Sequence, residues 1–231
     1  MNLTYYGHSC FSVMVAGRVL LFDPFITPNE AANKIVDVDA VPADFILVTH
    51  GHFDHIEDCT RIARRTGATV ISNFEVGEWL ATKGIAEAKR ASLNHGGGRD
   101  FDFGRVKFVN AIHSSALPDG SYGGNPGGFV IDSGEGAFYH AGDTALTLDM
   151  QLIPSFLTSR MIFAALPIGD NFTMGVDDAV RAADFVQADT VLGIHYDTFP
   201  PIKIDHAKAQ EKFRAAGKKL LLPKIGENIA F

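Results

Sequence analysis

The sequence predicts an α/β fold: two sheets covered by helices, built as one domain over residues 1–231. Three observations carry that reading. Short apolar runs of strand length recur in both halves, with helix-like segments set between them. Apolar residues make up 46% of the chain and charged residues 20%, enough to bury a sizeable core. No low-complexity tract, charge block, linker or repeat of roughly 20–50 residues divides the chain.

The elements follow in order. Leu3–Tyr6, Cys10–Val15 and Val19–Phe22 read as strands, with a hairpin turn at Gly17-Arg18. Phe45–Thr49 has the continuous apolar character of a strand buried on both faces. Cys59–Thr66 reads as a helix stopped by Gly67, and Thr69–Ser72 as a strand. Asn73 can cap a helix that ends near Gly84. Arg105–Ile112, Gly128–Asp132 and Ala137–His140 are strand-like. Between the first two lies a loop, Ser114 to Gly127, with four glycines and two prolines, which reads as a mobile lid. Met161–Leu166 and Thr190–Ile194 read as strands, and Gly175–Ala188 and Asp205–Ala216 as helices. Lys219–Leu222 and Asn228–Phe231 close the chain as strands.

The net charge of −7 counts against nucleic-acid and anionic-membrane partners. The longest apolar runs are strand-sized, short of the roughly 20 residues of a membrane span. The first residues lack a basic segment followed by an apolar one, and no C-x-x-C motif exists. Cys10 and Cys59 therefore read as reduced, buried thiols of a cytoplasmic protein.

Nine histidines in an acidic, cysteine-poor chain stand out. One segment concentrates them: Thr49-His50-Gly51-His52-Phe53-Asp54-His55. Imidazole nitrogen and carboxylate oxygen are ligands for zinc and similar divalent ions. In extended backbone His50 and His52 point to the same side and can grip one metal. A turn into a helix then swings Asp54 and His55 toward a second position. Three later strand-like runs end at His113, at Asp143 and at His195, and these supply the remaining ligands. Asp143 can bridge two metals through its two oxygens.

The His-x-His-x-Asp-His signature, His113, Gly142-Asp143-Thr144 and His195 together resemble the metallo-β-lactamase superfamily, in order and across nearly the whole chain. The resemblance implies a four-layer αββα sandwich with a binuclear metal site at one edge of the two sheets. It assigns His50, His52 and His113 to one metal, Asp54, His55 and His195 to the other, and Asp143 to the bridge. Tyr6-Gly7-His8-Ser9-Cys10-Phe11, Leu21-Phe22-Asp23-Pro24, Pro167 to Met174 and His195 to Pro200 are similar to the small cytoplasmic metal-dependent hydrolases related to ascorbate-6-phosphate lactonase. That subgroup carries over a fold and metals, not a substrate. No flavin or rubredoxin-like domain, long basic insertion or signal peptide is visible. Their absence counts against the diiron oxygen-reductase, tRNA-processing and secreted lactamase branches.

Other residues keep two readings. His8 either touches substrate or a metal-bound water, or is a hydrogen-bonded structural residue. Asp23 either orients a ligand histidine or opens the turn before Pro24. His140 reads as packing or as support for a ligand, and His95 and His206 as solvent-facing. Asp170, Asn171 and Thr173 either line the pocket or form a Gly-punctuated turn. Asn171 and Tyr196 join His8 as candidate substrate contacts.

The expected cofactors are two divalent cations: zinc, manganese or nickel. Such a pair, about 3.5–4 Å apart, shares a water and lowers its pKa toward about 7, producing a hydroxide that attacks a small ester, lactone or related acyl substrate. Asp54 then acts as a candidate catalytic residue that holds the hydroxide and shuttles its proton. A phosphodiesterase with the same metals is the alternative within enzymes, although no Arg or Lys lies inside the ligand motifs. A metal-binding regulatory protein without turnover is the alternative outside them. The partner is a small molecule, and two exposed sheet edges are compatible with a symmetric homo-oligomer.

Overall fold

The computed structural model describes residues 1–231. Its strands form two seven-stranded sheets. The first contains β1 (Asn2–Gly7), β2 (Cys10–Val15), β3 (Arg18–Phe22), β4 (Phe45–Leu47), β5 (Thr69–Asn73) and β6 (Arg90–Leu93). The second contains β7 (Gly98–Phe101), β8 (Gly104–Asn110), β9 (Gly127–Ser133), β10 (Gly136–His140), β11 (Met161–Pro167), β12 (Thr190–Ile194) and β13 (Lys219–Leu221). The last strand, β14 (Asn228–Ala230), returns to the edge of the first sheet beside β1.

Both sheets follow one pattern. Four strands pair antiparallel, in the order β14-β1-β2-β3 and β7-β8-β9-β10; three more then pair parallel, β4-β5-β6 and β11-β12-β13. This repeat spans about half the chain, longer than the repeat lengths visible in the sequence.

Three apolar clusters define four layers. The central one joins the inner faces of both sheets, with Phe11, Phe22, Phe108, Phe129, Phe138 and Phe163 fully buried. Phe11 stacks on Phe22 at 4.7 Å and Phe138 on Phe163 at 5.0 Å, and Phe22 meets Phe138 edge-on at 5.7 Å across the sheets. The second cluster packs α4 (Val176–Phe185) and α5 (His206–Ala215) on the second sheet. The third packs α2 (Cys59–Thr66) and α3 (Phe74–Thr82) on the first. The two-sheet, helix-covered α/β architecture is the one the sequence implies.

The differences are local. Strand β4 stops at Leu47 because the Thr49 N–H bonds the Asp23 carboxylate at 2.8 Å, not a neighbouring strand. Strands β6 and β7 escape sequence reading because they are short and half polar (RASL and GRDF). Helix α4 ends three residues before Ala188, where Gln187 takes φ 57°. No helix is long and apolar enough to cross a membrane.

Candidate metal centre

Strand direction gathers the site. β1 and β3 both run antiparallel to β2, and β4 runs parallel to β3, so their C-terminal ends share one edge. By the same count, β8, β10 and β12 end together on the second sheet. His8 follows β1, Asp23 follows β3, His50 to His55 follow β4, His113 follows β8, Asp143 follows β10 and His195 follows β12. Loops at the carboxyl ends of strands are where α/β sheets place their ligands.

The backbone is held tightly there. His8, Asp23 and His195 take positive φ of 56°, 41° and 54°. Such conformations cost on the order of 1–3 kcal/mol each and persist where the surroundings fix them. The His8 carbonyl accepts both the His195 N–H at 3.1 Å and the Tyr5 hydroxyl at 3.1 Å. Gly142, at φ 62°, brings its backbone against Thr49, and a Cβ there would lie 2.9 Å from the Thr49 Cβ. Only glycine allows the turn that delivers Asp143. The helix α1 (Phe53–Ile56) supplies the turn that separates Asp54 and His55 from His50 and His52.

Behind the cluster, one buried carboxylate sets the rings. Asp23 Oδ1 accepts the Thr49 N–H at 2.8 Å. Its Oδ2 accepts from the Thr49 hydroxyl at 2.8 Å, His55 Nδ1 at 3.0 Å and His140 Nε2 at 2.9 Å. The His55 Nδ1–H is thereby committed, and Nε2 is the atom left facing the cluster. Thr49 gives its only hydroxyl proton to Asp23, so it accepts the His50 Nδ1–H at 3.0 Å, which leaves the His50 Nε2 lone pair free. This is how outer hydrogen bonds orient metal-ligating histidines. Asp23 thus fixes the ring of His55, a candidate ligand, and His140 shares that carboxylate.

At the front, Asp143 Oδ2 lies 2.9 Å from His195 Nε2, 3.3 Å from His55 Nε2 and 3.6 Å from His113 Nε2. Asp143 Oδ1 and His55 Nε2 are buried and have no hydrogen-bond partner. Asp54 Oδ2 lies 3.8 Å from His195 Nε2, 4.0 Å from His55 Nε2 and 3.0 Å from His8 Nε2. His50 Nε2 faces His52 Nδ1 at 3.0 Å, and His52 Nε2 lies 3.4 Å from Ser114 Oγ. When His52 gives its Nε2–H to Ser114, two ring lone pairs meet at 3.0 Å, which is repulsive without a proton or cation between them. Potential ligand atoms within 4.8 Å of one another group as His50, His52 and His113, as His8, Asp54, His55 and His195, and as His50, His55 and Asp143. Orphaned buried atoms, facing lone pairs and a nitrogen-oxygen donor set all fit divalent cations.

The charges follow from burial and from these neighbours. Burial lowers His50 well below the ordinary histidine range. Burial also pulls His8 down to about 4, against the opposing pull of Asp54. Burial alone would lower His195, but the Asp143 carboxylate beside it carries it up to about 9. His55 is likewise buried, yet Asp143, Asp23 and Asp54 raise it well above its ordinary value. Burial would raise Asp54 and Asp143, but the surrounding imidazoles hold both well below the usual carboxylate range. Divalent cations and protons would compete for the same imidazole nitrogens here.

All seven ligand candidates and His8 meet in this cluster. Neutral His8 gives its Nε2–H to Asp54 and accepts from the Thr198 hydroxyl at Nδ1, 2.9 Å away. Two candidate substrate contacts lie elsewhere. After the positive-φ turn at His195, the buried Tyr196 lines a cavity of about 500 Å³ together with Tyr5, Thr198 and His206. Asn171 lines another, of about 700 Å³, between Ile168 and Lys212; consecutive positive φ at Asp170 and Asn171 turns it there. The latter segment is the Gly-punctuated turn, with the Asp170 N–H bonded to the Met174 carbonyl. The Ser114–Gly127 loop is fastened, not free. Ser115 Oγ accepts the Gly51 N–H, the Asn73 amide donates to the Gly123 and Asn125 carbonyls, and Leu117 is buried against Gly51. His95 and His206 are exposed, as expected, and His206 pairs with Asp197 at 2.6 Å. Sequence reasoning missed Thr49, Thr198 and Ser114. Adjacency to a ligand was the only available signal for Thr49 and Ser114.

Comparison with known proteins places this geometry in context. The family model for the Beta-lactamase superfamily domain matches residues 18–196. A UPF0173 metal-dependent hydrolase from Christiangramia forsetii is 50% identical over 229 residues, covering 99% of each chain. The structure of Igni18, a metallo hydrolase from Ignicoccus hospitalis, superposes with a TM-score of 0.87 at 34% identity, covering 100% of this chain and 97% of that one. The metallo-beta-lactamase fold protein YhfI from Bacillus subtilis aligns with a TM-score of 0.73 at 14% identity, covering 99% and 98%, a likeness of fold.

Proposed function

This chain belongs to the Beta-lactamase superfamily and is a metal-dependent hydrolase; we propose that it adds water across the acyl bond of a small ester, lactone or related substrate, at a centre that takes two divalent cations. The observation that carries this reading is Asp143. One of its oxygens faces His55, His113 and His195, the other is buried without a partner, and its carboxylate also groups with His50 and His55. His50, His52 and His113 would hold one cation, Asp54, His55 and His195 the other, with Asp143 between them; zinc, manganese and nickel all suit these ligands.

Bound there, two cations supply the charge that acidifies water and polarises the substrate oxygen. The chain does the rest. Asp23 and Thr49 fix the ring orientations from behind. Asp54 takes a proton from the attacking water and releases it toward the leaving oxygen. His8 holds the Asp54 carboxylate in place through its Nε2–H, with Thr198 fixing the His8 tautomer.

The test is a turnover panel of ester, lactone and phosphodiester, with zinc, manganese and nickel returned singly after chelation, beside a count of bound metal per chain. Turnover of ester or lactone with two cations bound is expected. Turnover of the phosphodiester alone would replace this reading with a phosphodiesterase. Two bound cations without turnover of any substrate would mark a metal-binding regulatory protein.

A further inference from the structure

The rim beside His8 is aromatic. Phe53 opens the helix that carries Asp54 and His55, yet the residue is 44% exposed. It packs edge-on against buried Phe25 at 5.0 Å, and Phe25 in turn lies 5.6 Å from the His8 ring. Phe199 completes the wall, 5.6 Å from His8 and 6.4 Å from Phe25, and is itself half-buried. This wall stands against the imidazole that hydrogen-bonds Asp54, the residue assigned to proton transfer.

The charged side chains tell the same story from the other side. The hydrogen bonds and ion pairs of the ligand candidates and His8 run to one another, to Asp23 and to Thr49, Thr198 and Ser114. None runs to a Lys or Arg. Lys203 and Lys212 line the 700 Å³ cavity, and Lys224 the 500 Å³ one. A substrate bearing phosphate or sulfate beside the reacting bond would find no guanidinium or ammonium partner in this network. An apolar group would find two accessible phenyl rings backed by a third.

We infer that Phe53 and Phe199, supported by Phe25, form a specificity wall for the acyl group of a neutral substrate, and that the group it selects is an alkyl chain longer than acetyl. This rests on the acyl-hydrolase reading above and narrows its substrate class. Burial of one methylene contributes about 0.8 kcal/mol, close to a fourfold gain.

The test uses the cation-loaded protein and esters of one alcohol with acetyl, butyryl and hexanoyl groups. The kcat/KM is expected to rise about threefold to fourfold per methylene from acetyl to butyryl. Phe53→Ala and Phe199→Ala should each flatten that rise, Phe53→Leu should keep most of it, and Leu152→Ala, an exposed apolar change outside the site, should leave it intact. Calorimetric binding of hexanoate against acetate to the same loaded proteins gives a readout free of turnover. Hexanoate should bind more tightly to the parent protein and lose its advantage in Phe53→Ala. Equal binding of the two acids by the parent protein overturns the wall, whether or not the esters turn over. A chain-length preference that survives in both alanine variants overturns it too. Absence of ester turnover with the hexanoate preference intact would instead strike the acyl-hydrolase reading and leave the wall standing.

Discussion

Asp23 and Asp143 occupy matching places in the two sheets. Each follows the fourth strand, the second arm of a hairpin, where antiparallel pairing gives way to parallel. Both are buried and both face imidazoles. Yet Asp23 is closed: its two oxygens receive four hydrogen bonds. Asp143 is open, with one oxygen unpartnered. The same carboxylate at the same place therefore positions candidate ligands in one sheet and is itself a candidate ligand in the other. What differs is the donor supply, chiefly Thr49, whose backbone and hydroxyl both turn toward Asp23.

Neutralising each carboxylate in turn separates the two roles. Asp143→Asn should lower hydrolysis by more than about 100-fold and reduce bound metal, beyond the range expected of an outer partner. Asp23→Asn should fall inside that range, with metal affinity down about 10–100-fold, measured by competition with a chromogenic chelator. If Asp23→Asn removed metal as completely as Asp143→Asn, the distinction between closed and open would collapse.

A pH profile separates the two at smaller scale. In chelated protein the His195 pKa stands at about 9 against an ordinary 6.5, because Asp143 lies beside it. The folded state holds that proton more tightly than the unfolded chain. Its contribution is therefore complete below pH 6.5 and is lost as pH rises through 9. His8, pulled to about 4 by burial, has the opposite sign: its cost to stability grows as pH falls from 6.5 toward 4. Thermal melts of the chelated protein should decline on both sides. Asp143→Asn should remove most of the alkaline decline, and an unaltered alkaline limb in that variant would detach His195 from Asp143. The smallest expected effect is Thr49→Val, which leaves the buried His50 Nδ1–H without its acceptor and should cost about 1–3 kcal/mol, seen as a drop in Tm.

The comparison also shows why some of the molecule was legible in the sequence. His50, His52, Asp54 and His55 sit within six residues, a density that apolar strands do not produce by chance. His113, Asp143 and His195 were readable because each ends an apolar run. Asp23 ends one as well, which left it with two readings; only the three-dimensional donor count separates it from Asp143. Tyr196 and Asn171 fall outside the ligand cluster for a related reason. Both lie beside site-like residues, but left-handed residues send their side chains elsewhere, and sequence patterns do not display the sign of φ. The twofold sheet pattern was invisible because strand order, not residue identity, carries it.

The candidate ligands reach from His50 in one sheet's loops to His195 in the other's. Bound cations would therefore act as staples, closing a long stretch of chain that the unfolded state leaves open. During synthesis, a nascent chain can present His50, His52, Asp54 and His55 early, but it cannot offer the full grip until His195 has emerged. Full metal capture would thus wait on the meeting of the two sheets, and scarcity of metal would be felt first as a loosening of one half from the other.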